Sequence, residues 1–333
     1  MAALFEKDQV GKREDLADLV AQVESHATPV GSLAKKGSKP GNSVMSWQAT
    51  SLSAAQNSPI VDGTDVTSSD YEHNTRSLLQ NYIQIVRRVV RVSPLSIDIS
   101  NVAGVKDELA FQVANAILEL KKDAELILCA DAGAQADNGT VGYKTRGLHK
   151  WINTNANKDS TLAPDSAFTT PSASIETTAT TADISDTTVQ DVLSSIFAQT
   201  GSIKEYDMPV GRTLKRAFTD RLTGVTTASD STNDIAATQV RTFSPMNGKS
   251  VTYRVDIFNG DFGSVKLHPS NFLDAATDGL VLDMSNVEIK YGKLPEVKEL
   301  PDSGGGPIRM IEMYQALCLH AGGLNHGRFD LAS

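Results

Sequence analysis

From Asn74 to Ser93 the chain reads NTRSLLQNYIQIVRRVVRVS, a run of alternating β-branched and polar positions that predicts a strand. Ile83, Ile85 and Val89 fall on one face with Arg87 and Arg91, and Tyr82, Val86, Val90 and Val92 fall on the other with Arg88. Such a strand is longer than the usual five or six residues, and neither face is cleanly apolar. A strand buried in one core does not place arginines on both sides. A two-stranded arm leaving the body does, because its far end meets another chain. Ser43 to Thr50 (SVMSWQAT) alternates as the outgoing strand, and the polar, turn-rich residues 51–73 join the two, with Asp62-Gly63 as a tight turn. An isolated two-stranded ribbon is marginal in water, so this arm is expected to be steadied by a partner.

Beyond the Ser93-Pro94 break the period changes. Val102, Val105, Leu109, Val113, Ala116, Leu120, Ala124 and Ile127 make a continuous helical stripe, with Ser100 or Asn101 as cap and Asp107 and Glu108 in the early turns. From Val102 to Cys129 this helix spans roughly 42 Å at about 1.5 Å per residue. Lys106, Glu119, Lys121, Lys122, Asp123 and Glu125 lie mostly off the stripe, and Gly104 marks a bend.

The other elements are shorter. Arg13 to Glu24 is an amphipathic helix that packs on its own core or on a neighbouring subunit; Thr28-Pro29 ends it. Residues 131–145 form a loop that Trp151 anchors, and the Thr/Ser-rich residues 155–186 read as a long, weakly structured insertion. Thr187 to Gln199 is helical with Gly201 just beyond, Asp207 to Val210 a short strand, Gly211 to Leu222 a basic helix, and 223–240 a polar loop. Val251 to Phe258 and Gly263 to His268 flank the hairpin signal Asn259-Gly260-Asp261. Leu280 to Asp283 and Val287 to Tyr291 are short strands. After the turn at Gly304-Gly305-Gly306-Pro307, Ile308 to His320 is a strand that pairs back with the long one. This order gives an α+β protein with two lobes.

Charge and composition narrow the function. With 333 residues and a net charge of -9 the chain can bury a large core but is a poor neutraliser of phosphates. Enclosing nucleic acid without gripping it remains compatible with that charge. Cys129 and Cys318 stand in no metal-ligand spacing and read as buried thiols in a reducing compartment. The N-terminal residues lack the pattern of a secretory signal, and no apolar run is long enough to span a bilayer, so the expectation is a soluble protein made in the cytoplasm.

Familiar chemistry is not assembled. Asp261-Phe262-Gly263 matches a kinase metal motif but sits in a hairpin turn with no companion motifs. Gly248-Lys249-Ser250 resembles the end of a phosphate loop, yet Phe243 stands where the first glycine is needed. His320 and His326 read as polar residues of a C-terminal strand and turn rather than a metal pair, and Lys35, Lys36 and Lys39 as a solvated basic turn. The expectation is no catalytic, cofactor or metal site.

Several segments together carry a resemblance: TPVGSLAKKG at Thr28 to Gly37, Trp47-Gln48, the NYIQI strand within Asn81 to Ser93, KDELAFQVANAILELKKDAE at Lys106 to Glu125, GLHKWI at Gly147 to Ile152, and DFGSVKLHPSNF at Asp261 to Phe272. In this order the chain resembles the major capsid proteins of tailed double-stranded-DNA bacteriophages, of the Hong Kong 97 type. The resemblance implies an N-terminal arm (1–35), an extended β-hairpin loop (36–92), a peripheral lobe with a long spine helix and the insertion (93–186), an axial lobe (187–283), and strands returning to the peripheral lobe (284–333). It implies a structural, non-enzymatic subunit. Copies would assemble into pentamers and hexamers that close an icosahedral phage head around DNA, with portal and decoration proteins as further partners and no membrane. An encapsulin-type compartment shell and a tail protein are the alternatives. Arg87, Arg88, Arg91, Trp47 and Tyr82 are the candidate inter-subunit residues, the arginines pairing with acidic groups of a neighbour.

Overall fold

A computed structural model describes residues 27–53, 55–71, 73–74, 76–98, 107–158, 162–177, 184–222 and 256–331. The expected helix at Arg13 to Glu24, the caps Ser100 and Asn101, the bend at Gly104 and the loop 223–240 lie outside the described residues. In chain order the elements are α1 (Pro29–Leu33), β1 (Lys35–Gly37), β2 (Val44–Thr50), β3 (Arg76–Tyr82), β4 (Gln84–Arg91), α2 (Pro94–Asp98), α3 (Glu108–Cys129), α4 (Leu148–Trp151), β5 (Ile175–Glu176), α5 (Asp186–Thr200), β6 (Lys204–Val210), α6 (Arg212–Leu222), β7 (Ile257–Gly260), β8 (Gly263–Pro269), β9 (Asp278–Val281), β10 (Val287–Leu300), β11 (Ile308–Leu319) and β12 (Gly327–Asp330).

The strands form a four-stranded sheet in the order β1-β10-β11-β4, a six-stranded sheet in the order β5-β12-β9-β6-β8-β7, and the β2-β3 hairpin. The long helix α3 lies on one face of the four-stranded sheet. Ala116, Leu120 and Ala124 of the helix pack on Val86 of β4 and on Ile311 and Met313 of β11. Asp107 caps this helix by accepting from the Ala110 N–H at 3.1 Å. Its end is fixed by Gly147, where a Cβ would lie 2.1 Å from the Ala130 carbonyl oxygen, so only glycine lets the α4 segment pass. The six-stranded sheet is covered by α5 and α6 through Leu193, Ile196, Leu214 and Phe218. Ser185 caps α5 and Gly201, at φ 64°, ends it with its N–H on the Phe197 carbonyl. A third cluster joins the two sheets to the hairpin: Trp151 and Leu148 meet Leu79, Leu128, Leu280, Val287 and Leu317.

Several expectations hold. β11 pairs antiparallel with β4, with Arg87 opposite Glu312, and Trp151 is fully buried. Others need correction. The run Asn74 to Ser93 is two strands, not one. Leu79, Asn81 and Tyr82 are the buried positions of β3, and Val86 and Val92 are buried further on. The inward phase therefore slips by one residue around Tyr82 and Ile83, and this lets the chain leave β2 and join β11. Helix α3 starts at Glu108, later than the stripe suggests. β10 runs on to Leu300 through two register irregularities near Gly292 and Pro295, residues that read as the end of a strand but here mark bulges. The hairpin turn falls on Asp261-Phe262, two residues later than the Asn-Gly signal. The insertion 155–186 is not weakly structured where it is described. It holds short 3₁₀ turns and β5, with Phe168, Thr170, Ser174 and Ile184 buried, Phe168 and Ile184 within the hydrophobic clusters of the body. β4 lies in the four-stranded sheet, and β12 closes into the six-stranded sheet against β9. No helix among the described residues is long and apolar enough to cross a membrane.

Candidate assembly interface

The β2-β3 hairpin leaves the body from a rigid base. Seven residue pairs are in register, from Val44 with Tyr82 to Thr50 with Arg76. At the base, Asn81 is fully buried. Its Nδ2 donates to the Leu317 carbonyl at 2.8 Å, and its Oδ1 accepts from the Arg146 N–H at 2.7 Å. Trp47 donates Nε1–H to the Leu319 carbonyl at 2.9 Å and stacks against Trp151 with 5.8 Å between ring centroids. Tyr82 is buried against Tyr143 at 5.3 Å. Trp47 and Tyr82, the candidates for a subunit boundary, anchor the base of the hairpin to its own chain.

The far half of the hairpin is the opposite case. Every described residue from 50 to 74 is exposed. Five of them, Leu52, Ile60, Val61, Val66 and Tyr71, are large apolar side chains between 71% and 85% exposed. The tip is not shapeless: Thr67 and Asp70 form a capping box, with the Thr67 N–H donating to Asp70 Oδ2 at 2.6 Å. That backbone hydrogen bond, with a second from the Thr67 hydroxyl, holds the Asp70 carboxyl below its ordinary range. The hairpin thus carries several exposed large apolar side chains beyond its base, a composition found at contact surfaces. The sequence does not flag these residues, because isolated apolar positions in a polar loop show no period.

The three arginines are satisfied at home. Arg88, on the helix-facing side of β4, makes a bidentate contact with Asp123 of α3 at 2.6 and 2.7 Å, and Glu119 lies at 3.5 Å. Arg87 binds Glu312 at 2.6 Å. The Glu312 carboxyl is buried, is held on its other oxygen by the Tyr314 hydroxyl at 2.8 Å, and lies below its ordinary range chiefly through the Arg87 hydrogen bond. Arg91 donates to the Gly305 carbonyl at 3.1 Å, with Asp302 at 3.9 Å. Within the chain, carboxylates thus stand beside all three arginines, whose side chains remain partly exposed. Because β4 is the edge strand of a sheet stacked on α3, its arginines find carboxylates on that helix and on β11.

Glu125, read as lying off the helical stripe, proves to be a buried bolt. Its two oxygens accept from the N–H groups of Val30 and Gly31 at 2.7 and 2.8 Å, capping α1 and tying it to the long helix. Burial pushes its carboxyl up, against those two hydrogen bonds. Cys129 and Cys318 are buried thiols; burial pushes Cys318 up to about 12 and Cys129 well above its ordinary value, which makes both inert at neutral pH. His320 binds Glu288 at 2.6 Å near the surface, whereas His326 is buried with Nδ1 accepting from the Asp283 N–H at 3.2 Å. The two histidines thus serve different partners.

Comparison with known proteins follows the same lines. A family model described as SU10 major capsid protein matches residues 4–330. Among solved structures, one described as Mycobacterium phage Bobi aligns with a TM-score of 0.62 at 10% identity, covering 100% of both chains. The capsid of a native GTA particle computed with C5 symmetry aligns at 0.63 and 11% identity, covering 98% of both. The mature capsid of bacteriophage PhiM1 aligns at 0.58 and 11% identity, covering 99% of this chain and 95% of the other. At such identities the likeness is one of fold, and that fold is the Hong Kong 97-type α+β architecture expected from the sequence. No curated protein matches the chain in sequence.

Proposed function

The chain belongs to the SU10 major capsid protein family, and from that membership we propose that its copies gather into pentamers and hexamers that close an icosahedral phage head around double-stranded DNA. The observation that carries this reading is the hairpin: a base bolted to its own chain and an apolar tip with nothing to bury against. The tip of one subunit lies on the next, and the sheet-and-helix body supplies the stiffness that transmits load between contacts. The fivefold symmetry applied to the GTA relative supports a pentameric vertex.

The subunit is made in the host cytoplasm and ends in the virion. Its function is distributed over interfaces rather than held in a catalytic centre. The net charge of -9 suits a wall that encloses DNA without gripping it. A portal and decoration proteins complete the head. Expression of the full chain followed by single-particle imaging tests the proposal. Closed shells with pentameric vertices are the expected outcome. A chain that stays monomeric at high concentration and inside infected cells contradicts it, and tubes or shells filled with a protein cargo point to a tail or compartment protein instead.

A further inference from the structure

Three side chains from distant parts of the chain converge between the two sheets: His149 of α4, Asp278 of β9 and Asp330 of β12. Each offers one ligand atom, and these atoms lie within 4.8 Å of one another. His149 is 7% exposed and Asp278 1%. His149 Nε2 faces Asp278 Oδ2 at 3.7 Å, beyond a hydrogen bond. Nε2 has no hydrogen-bond partner, and neither has Asp278 Oδ1; Oδ2 accepts only the Ala275 N–H at 2.9 Å. Two buried polar atoms without hydrogen-bond partners, Nε2 and Oδ1, are costly, and each such group in a folded chain calls for a physical account.

The far side of the imidazole indicates what the near side is for. Nδ1 lies 3.4 Å from Asp131 Oδ1. Arg328 Nη1 donates to Nδ1 at 3.5 Å and to the carbonyls of His149 and Ile152 at 3.3 and 3.4 Å. When Nε2 binds a metal the imidazole proton sits on Nδ1, and Asp131 Oδ1 at 3.4 Å is placed to support that tautomer, as carboxylates do behind metal-bound histidines. Arg328 Nη2 holds Asp330 Oδ2 at 2.8 Å, which leaves the second oxygen of Asp330 available. Three carboxylates, the buried Asp278 and the partly exposed Asp131 and Asp330, stand against one guanidinium. That imbalance favours a dication.

We propose that His149 Nε2, Asp278 and Asp330 bind one divalent transition-metal ion of the zinc class. Ligand atoms at about 2.0–2.2 Å from zinc stand roughly 3.5 Å apart in a tetrahedron, close to the separation of His149 and Asp278. Asp330, whose side chain is 42% exposed, turns in to complete the set, and water takes the remaining position. The ion clasps the α4 segment, whose Trp151 joins the core shared with the hairpin and the long helix, to the six-stranded sheet. It is a structural site and needs no assembled shell.

The test uses the full-length chain, stripped with EDTA and dialysed against zinc. Metal analysis should give about one zinc per chain, with a melting temperature that rises with zinc and falls back with chelator. Asp330→Asn, at a half-exposed position, should fold normally and weaken zinc binding at least about tenfold; His149→Gln should abolish both binding and the visible absorption of the cobalt-substituted chain. If Asp278→Asn does not fold, these two variants decide the question. Wild-type chain that retains well under one zinc at saturating free metal overturns the proposal. So does zinc bound equally by Asp330→Asn and His149→Gln.

Discussion

Replacing Ile60, Val61 and Val66 with serine isolates the contribution of the hairpin tip. Each of these side chains is at least 74% exposed in the single chain, so the substitutions remove almost nothing from its own core. Fully burying one such side chain is worth about 1.5–3 kcal/mol. Three of them come to roughly 4.5–9 kcal/mol per contact, and about half of that survives if burial on the neighbour is partial. Even 1.4 kcal/mol is a factor of about ten in association. The assay has two arms. Sedimentation velocity across a concentration series locates the threshold for assembly, which should rise at least about tenfold. Urea unfolding of the unassembled chain should agree with wild type to within about 0.5 kcal/mol, as for surface changes generally. Assembly at the wild-type threshold would refute the assignment of the tip as a contact surface. A loss of stability typical of a core substitution would refute the claim that the tip buries nothing at home.

Glu125→Ala leaves the Val30 and Gly31 N–H groups without their acceptor and should cost about 2–4 kcal/mol in urea unfolding, the penalty for two buried donors; a loss under about 0.5 kcal/mol would remove its role as a bolt. A double-mutant cycle on Arg88→Met and Asp123→Asn should give a coupling of about 1 kcal/mol, modest because both side chains are partly exposed, and zero coupling would show the pair to be incidental. His326 is fully buried and burial lowers its pKa from 6.5 to about 4. The unfolded chain therefore takes up this proton at a higher pH than the folded one. Stability should be full above about pH 6.5 and fall as the pH drops toward about 4, by on the order of 3 kcal/mol; an unchanged pH slope in His326→Asn would contradict this.

Elements with one period and clear punctuation are legible in the amino-acid pattern alone. Helix α5, bounded by Ser185 and Gly201, is one, and the return of β11 onto β4 is another. What the linear pattern hides, it hides for physical reasons. The slip at Tyr82 and Ile83 lies inside a run whose residue types suit a strand throughout; only the three-dimensional partner reveals where the phase changes. Gly292 and Pro295 usually end strands, yet bulges carry β10 past them. The arginines of β4 do need carboxylates, as their residue type suggests, but Glu312 is 225 residues from Arg87, and no local pattern encodes such a pairing. Glu125 and Asn81 look like surface residues in a linear reading, because their partners are backbone groups that leave no side-chain signature. The tip residues Leu52, Ile60, Val61, Val66 and Tyr71 are hidden for the opposite reason: they belong to no periodic element, and their meaning comes from their exposure within the single chain.

Completion of one subunit's hairpin by the next is tested most directly by imaging the assembled shell at side-chain detail. The expected density shows the connector between Thr50 and Arg76 lying on an adjacent subunit with Ile60, Val61 and Val66 covered, while Arg88 stays on Asp123 of its own chain. Closed shells in which that connector projects into solvent, uncovered by any neighbour, would contradict it.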